Sequence, residues 1–389
     1  MRPQNLFTHA VSTPTILYLV TEDWYFWSHR LDLARHARDA GYTVVVGTRT
    51  HHHRAQIEDE GFRCVEIPFE RSLRHPLRDL RAIWRVVCLI RALRPALVHL
   101  VALKPILLAC LSILCFRKTR YLHAVTGLGY LFAGGRSRRR RLRSFVVAAL
   151  RTLINRTNSW LVVQNLDDQA LLTSLSIGTP QRTCLIAGSG VDTEQFSVTT
   201  WKFTDRPLVI LPARMLRDKG IEEFVAAARL VKQTYPMAHF ALVGPTDSDN
   251  PAAISESELT SWVQEGVVEW WGLREDMAAI YARAAIVCLP SYREGFPKAL
   301  IEAAACGRAL IATDVPGCRE ICRHEQTGLL VALGDVPQLA KALIRLLEHP
   351  ETRERLGAAA RELVERSFST GIISAETLAL YARLIECTL

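Results

Sequence analysis

Short apolar runs alternate with amphipathic stretches along the whole chain. PTILYLV (14–20), TVVVGTR (43–49), a run at 63–69, ALVHLVAL, the start of TRYLHAVTGLGYLF (119–132), SWLVVQNLDD and CLIAGSGVD (184–192) each carry a β-branched or aliphatic block. Such blocks have the length and the unbroken apolarity of strands buried on both faces. Between them, RLDLARHARDAGY ends at Gly41, and 77–94 sets arginines beside an apolar stripe of Leu80, Ile83, Trp84, Val87 and Leu93. Apolar helices are expected at 105–116 and within 134–157. The alternation pauses at 196–206 and restarts with a strand at 207–212 and a helix at 220–233. HFALVG (239–244), VVEWWGL (267–273), AIVCLP (285–290) and ALIATDVPG continue it, and helices follow at 336–348 and 351–366 and in SAETLALYARLIECTL. Strand–helix alternation of this kind predicts an α/β protein of two doubly wound, Rossmann-like parallel sheets. We place the linker at 196–206, a first domain at 1–200 and a second at 201–369.

Composition agrees with two ordinary domains: 389 residues, 49% apolar and 22% charged, which excludes a disordered chain. None of the ten cysteines forms a C-x2-C, and several sit in apolar runs, so reduced thiols in a cytosolic setting are expected. Cys318, Cys322 and His324 lack a fourth ligand for zinc, and His51, His52 and His53 read as an exposed loop. The first twelve residues lack the layout of a signal peptide, and the longest apolar run, Pro105 to Phe116, has 12 residues, too few for a bilayer span.

Charge changes the picture more. Residues 1–200 carry a net +13 and the remainder −4, and 71–156 hold 19 basic residues against one acidic, Asp79. So one-sided a stretch points to an anionic partner. Its densest part, GGRSRRRRLRSFVVAALRTLINRT, contains Arg136, Arg138, Arg139, Arg140, Arg141 and Arg143. No helix-turn-helix, zinc or RNP pattern surrounds it, so nucleic acid is not the expected partner. It reads either as a solvated face or as an interfacial helix on anionic lipid headgroups.

Candidate chemistry concentrates around 285–331. SYREGFP is a loop between a buried strand and the helix KALIEAAACG, and it puts Glu294 just before that helix and Glu302 about two turns inside it. Upstream, Arg214 and Lys219 lie in the loop before the helix at 220–233. Two cations beside a helix N-terminus suit a diphosphate. In the first half, the loop TEDWYFWSH has no glycine but carries Glu22, Asp23, Trp24 and Tyr25. Its aromatics either pack under the next helix or meet a sugar or lipid headgroup. Gly127 and Gly129 allow backbone to approach a ligand, and His123 precedes them.

The unbroken string PSYREGFPKALIEAAACG, with its two glutamates eight positions apart, resembles the donor-binding core of glycosyltransferase family 4. The likeness extends over nearly the whole chain and is tightest over 207–331; VVQN…GSGVD…F also resembles the family. It implies the GT-B fold, with two domains facing a cleft and a terminal helix, 370–389, crossing back to the first. It further implies that Arg214 and Lys219 grip the pyrophosphate and that Glu294, with Gly295, Phe296 and Pro297, holds the donor sugar. Glu302 would bind the ribose, with Lys298, Gly244, Gly272 and Leu273 also on the donor side. Glu22, Asp23, Trp24, Tyr25, His123, Gly127 and Gly129 would face the acceptor, although His123 and Thr126 fit the family's turn only approximately. The TEDWYFWSHR loop looks like that of a subgroup acting on lipid-linked sugars.

The resemblance therefore implies a retaining transferase moving an N-acetylhexosamine from a UDP-sugar to a polyprenyl-diphosphate-linked saccharide. It would work in cell-surface glycan synthesis, peripheral on the cytoplasmic face of the membrane. With no D-x-D where a divalent ion would sit, neither metal nor cofactor is expected. A nucleotide-sugar epimerase of the same architecture is an alternative, separable by incubating UDP-sugars alone. A non-catalytic basic membrane-binding protein is another, and it would not need the Arg214, Lys219, Glu294 and Glu302 set.

Overall fold

A computed structural model describes residues 13–70, 76–128, 137–199, 206–248 and 250–386. Seven strands form the first sheet: β1 (Thr15–Glu22), β2 (Thr43–Arg49), β3 (Arg63–Glu66), β4 (Leu97–Val101), β5 (Arg120–Val125), β6 (Ser159–Val163) and β7 (Thr183–Leu185). Six form the second: β8 (Leu208–Pro212), β9 (His239–Val243), β10 (Glu269–Trp270), β11 (Ile286–Leu289), β12 (Ala309–Thr313) and β13 (Leu329–Val331). Their orders are 3-2-1-4-5-6-7 and 10-9-8-11-12-13, with every pairing parallel. Each sheet is covered on both faces, which is why β4, β8 and β12 are buried along their whole length.

In a doubly wound sheet the strand order reverses at one point, and the loops leaving the carboxyl ends of the two flanking strands diverge to open a crevice. Here the reversals fall between β1 and β4 and between β8 and β11. The loops after β8 and β11 are those carrying Arg214, Lys219 and Glu294.

Three elements depart from the sequence reading. TEDWYFWSH is not a loop: β1 runs through Glu22 and a helix follows directly at Asp23–His29. Asp23 favours this: it is an acidic residue in the first turn, where negative charge suits the helix dipole, and its carboxylate accepts from the Trp24 amide at 2.8 Å. The apolar stretch 105–116 is two short helices, Leu103–Leu108 and Cys110–Cys115. In helix Pro76–Leu93 the buried side is Ala82, Val86, Leu89 and Ile90, so Leu80 and Trp84 of the expected stripe face outward.

The chain returns to its first sheet at the end. Helix Pro350–Ser367 packs on β12 and on helix Lys298–Ala305, and helix Thr370–Glu386 then lies against helix Leu31–Asp39 and β4. Its anchor is the buried Tyr381, whose hydroxyl lies 2.5 Å from His99 Nδ1 and donates to the Tyr18 hydroxyl at 3.0 Å. Burial keeps His99 neutral by pushing its pKa well below the ordinary value. Tyr381→Phe should leave two buried polar groups without a partner and cost about 1–3 kcal/mol, measured by urea denaturation.

Candidate active site

The loop after β8 brings two cations to the crevice. A 3-10 turn, Arg217–Lys219, leads through Gly220 (φ 71°) into helix Ile221–Thr234. Besides this left-handed backbone, Gly220 meets the carbonyl oxygen of Pro290 so closely that a Cβ would overlap it. The loops after β8 and β11 are thereby pressed together. Lys219 Nζ consequently reaches Glu294 Oε1 at 2.6 Å, and Ser291 Oγ donates to the same oxygen at 2.7 Å. Arg214 Nη1 meets Asp247 Oδ2 at 2.6 Å. All three expected residues, Arg214, Lys219 and Glu294, thus flank one crevice, and Asp247 is a partner that spacing gave no reason to choose.

Next along the chain, Gly295 touches the first lobe. A Cβ on it would overlap the Thr126 carbonyl oxygen, and one on Gly127 would lie 3.9 Å from Gly295. Asn165 Nδ2 donates to the Gly295 carbonyl at 2.7 Å while its side-chain oxygen caps helix Leu166–Ser174. Arg293 pairs with the buried Asp168 in that helix, and Arg319 with Asp167 at 3.1 Å. Pro297 caps helix Lys298–Ala305, in which Glu302 stands one turn in, not two. Glu302 is buried, accepts from the Tyr281 hydroxyl at 3.1 Å and lies 3.4 Å from Lys298 Nζ. Burial raises its pKa, and Lys298 and Tyr281 only partly offset this. Lys298 also donates to the Ser28 carbonyl at 2.7 Å, binding the two lobes.

Other donor-side positions are spread more widely. The Gly244 carbonyl accepts from Trp270 Nε1 at 2.9 Å, and Gly244 approaches Ala213 beside Arg214. Gly272 and the exposed Leu273 follow the edge strand β10, two strands away from β8.

On the first lobe, Asp23 and Glu22 are committed to structure. Asp23 Oδ2 accepts from the amides of His51, His52 and His53 at 2.6–3.0 Å, pinning the loop after β2. Burial alone would raise its pKa, but these three amides and that of Trp24 outweigh it and hold it below the ordinary value. Glu22 pairs with Arg49 at 3.1 Å. Trp24 lies edge-on to Tyr25, and Tyr25 stacks on His29 at 4.2 Å. His123 is wholly buried in β5, neither ring nitrogen has a hydrogen-bond partner among the described residues, and burial pushes its pKa down to about 3. Gly129 and Arg136 lie outside the described residues.

The first-lobe residue that the sequence reading overlooked is His29. Ser28 Oγ lies 2.6 Å from its Nδ1, and it is held well below the usual histidine pKa by burial first, then by Lys298, Arg30 and Arg214. Positive charge from both lobes thus adds to burial in disfavouring the protonated ring. Its signal was the Ser28-His29-Arg30 run at the end of the aromatic stretch.

Residues 15–161 match the family described as Glycosyl transferase 4-like, and residues 206–349 match Glycosyl transferases group 1. The chain is a glycosyltransferase, with a 4-like first lobe and a group 1 second lobe. The N,N'-diacetylbacillosaminyl-diphospho-undecaprenol alpha-1,3-N-acetylgalactosaminyltransferase of Campylobacter jejuni is 26% identical over 92% of this chain and 95% of its own length. The capsular polysaccharide biosynthesis glycosyltransferase CapM of Staphylococcus aureus is 24% identical over 58% of this chain and 59% of its own. Among solved structures, sucrose-phosphate synthase from Thermosynechococcus elongatus superposes with a TM-score of 0.81 at 22% identity, covering 96% of this chain and 100% of that one. Anabaena HepE with UDP and glucose gives 0.77 at 19% identity, covering 94% of this glycosyltransferase and 99% of that chain. These likenesses fix the two-lobed GT-B fold.

Asp23→Asn should cost this glycosyltransferase about 1–3 kcal/mol at neutral pH, because an amide cannot accept four backbone donors as a carboxylate does. The folded pKa is lowered, so the stabilisation is present above the ordinary value of 3.8 and fades as pH falls through the depressed one. Urea titrations of both proteins should therefore converge in acid.

Proposed function

We propose that this glycosyltransferase moves an N-acetylhexosamine from a UDP-sugar to a saccharide on a polyprenyl diphosphate, with retention and without a metal. The observation that carries the donor half is the Lys219–Glu294 pair at the switch point of the second sheet, with Arg214 in the same loop as Lys219. As the anomeric bond breaks, negative charge grows on the leaving diphosphate. Arg214 and Lys219, with the amides at the start of helix Ile221–Thr234, can stabilise that charge where a metal would otherwise be needed. Retention follows if the departing phosphate takes the acceptor's proton on the face it leaves. Glu294, with the backbone of Gly295, Phe296 and Pro297, then orients the sugar, and Glu302 takes the ribose hydroxyls. UDP as the nucleotide is supported by the HepE complex, in which UDP and glucose are bound.

The acceptor half is supported by the Campylobacter relative, whose name specifies an undecaprenyl-diphosphate sugar. A membrane-linked substrate also gives a reason for the surface of the first lobe. Leu77, Leu80 and Trp84 on helix Pro76–Leu93, with Arg78, Arg81 and Arg85, and Phe145 on helix Ser137–Ile154 are exposed (81%, 61% and 63%, and 73% for Phe145), and both helices pack on Leu103–Leu108 and Cys110–Cys115. Apolar side chains inside a basic surround suit the interface of an anionic bilayer. Among the described residues no helix is long and apolar enough to cross a membrane, so contact would be peripheral, on the cytoplasmic face where nucleotide sugars are available. Arg138–Arg141 belong to helix Ser137–Ile154.

A panel of UDP- and GDP-sugars, tested for donor hydrolysis and for transfer to a short polyprenyl-diphosphate sugar, decides the reading. UDP-N-acetylhexosamine should be the productive donor, chelators should leave the rate unchanged, and Glu294→Gln should lower kcat by about 100-fold or more while the protein stays folded. Isomerised UDP-sugar without acceptor would instead identify an epimerase. Leu80→Glu with Trp84→Glu should abolish sedimentation with anionic vesicles; equal binding by both proteins would refute the membrane contact.

A further inference from the structure

Among the described residues, one buried charge in the first lobe has no counter-charge. Arg30 is 5% exposed, and among those residues its Nε has no hydrogen-bond partner and its guanidinium otherwise reaches the neighbouring His29 carbonyl, at 3.4 Å. No carboxylate pairs with it among the described residues: Glu22 is engaged by Arg49, Asp23 by backbone amides and Asp168 by Arg293. Burying an unpaired cation costs several kcal/mol, so such a group is retained where an anion completes it.

Arg30 lines a cavity with His99, Gln164, Gly188 and Thr377, enclosed by the carboxyl-end half of the first sheet and the terminal helix. His99 Nε2 is likewise without a partner. The cavity measures about 20 Å³, room for a single oxygen and not for a whole phosphate. Its wall toward the second lobe is formed by Gln164, whose Oε1 lies 3.1 Å from where a Cβ of Gly295 would stand, and by Gly188, which abuts the Phe296 ring. The empty space therefore adjoins the segment expected to hold the donor sugar, where an acceptor hydroxyl must also arrive.

We propose that Arg30 binds a phosphate oxygen of the acceptor's diphosphate, which enters this cavity from the cleft and supplies the missing counter-charge. This rests on the lipid-diphosphate acceptor proposed above. The donor diphosphate already has Arg214 and Lys219 on the opposite lobe, so the two diphosphates would occupy separate cationic sites on either side of the transferred sugar. The same chemistry could be met by free phosphate, and the test separates the two sources.

The full chain is compared with Arg30→Met and Arg30→Lys, using UDP-N-acetylgalactosamine and a short polyprenyl-diphosphate-linked N-acetylhexosamine. Arg30→Met should raise the acceptor KM by about tenfold or more, as loss of a charged hydrogen bond does, and leave UDP affinity by calorimetry unchanged. Arg30→Lys should fall between. Without ligand, Arg30→Met should melt no lower than the parent, because the removed charge was uncompensated. A lower melting temperature with an unchanged acceptor KM would make Arg30 a structural residue and overturn the proposal. If inorganic pyrophosphate at saturating UDP raises the parent's melting temperature, this rise is lost in Arg30→Met and acceptor KM is unchanged, the site belongs to free phosphate and the acceptor assignment falls. If the parent uses no lipid-diphosphate acceptor yet keeps an Arg30-dependent pyrophosphate response, the functional reading fails while the anion site stands.

Discussion

The contact between Lys219 and Glu294 exists only because two backbones are allowed to touch. Gly220 lets the loop after β8 rest on the Pro290 carbonyl, and Gly295 lets the loop after β11 rest on the Thr126 carbonyl of the other lobe. A side chain at Gly220 would hold the loops after β8 and β11 apart by more than an ångström, enough to break a 2.6 Å ion pair. The chemistry of the crevice thus depends on what these positions lack. The same close approach fixes the lobes relative to one another, since Asn165, Asp168 and Ser28 all bind the segment 293–298 within a few residues of it.

Much of this was legible in the chain. Buried parallel strands announce themselves as unbroken aliphatic runs, so most of both sheets could be read, although β13 and the helices Leu166–Ser174 and Glu256–Gln264 were not. Arg214, Lys219 and Glu294 were readable because loop residues after a strand have a fixed address in a doubly wound sheet. What could not be read depends on contacts between distant segments. Asp247 as the partner of Arg214, Lys298 on the Ser28 carbonyl, and Tyr381 on His99 across 282 positions leave no local periodicity. The stretch 22–30 failed for another reason. Its aromatics have weak helix propensity, and what local pattern does not show is that the buried Asp23 in the first turn holds the distant His51–His53 backbone.

The two lobes handle charge in opposite ways. In the second, Arg214 and Lys219 each rest on a carboxylate. In the first, positive charge runs ahead of negative throughout: on the outer helices, where arginines surround exposed apolar side chains, and inside, at Arg30. A lobe whose surplus is left open to solvent and cleft is suited to a partner that brings its own anions, as a lipid diphosphate in an anionic bilayer does.

The pairing in the second lobe has a consequence for the order of events. If Lys219 holds the donor diphosphate as proposed, a bound donor would draw the ammonium away from Glu294 and loosen the glutamate at the same moment. On the proposed reading the freed carboxylate is the one that orients the sugar. Donor arrival would then prepare its own sugar site, and a nucleotide lacking the sugar would leave Glu294 without a partner beyond Ser291. Coupling of this sort favours binding of the intact nucleotide sugar over the spent nucleotide, because only the former satisfies both ends of the broken pair.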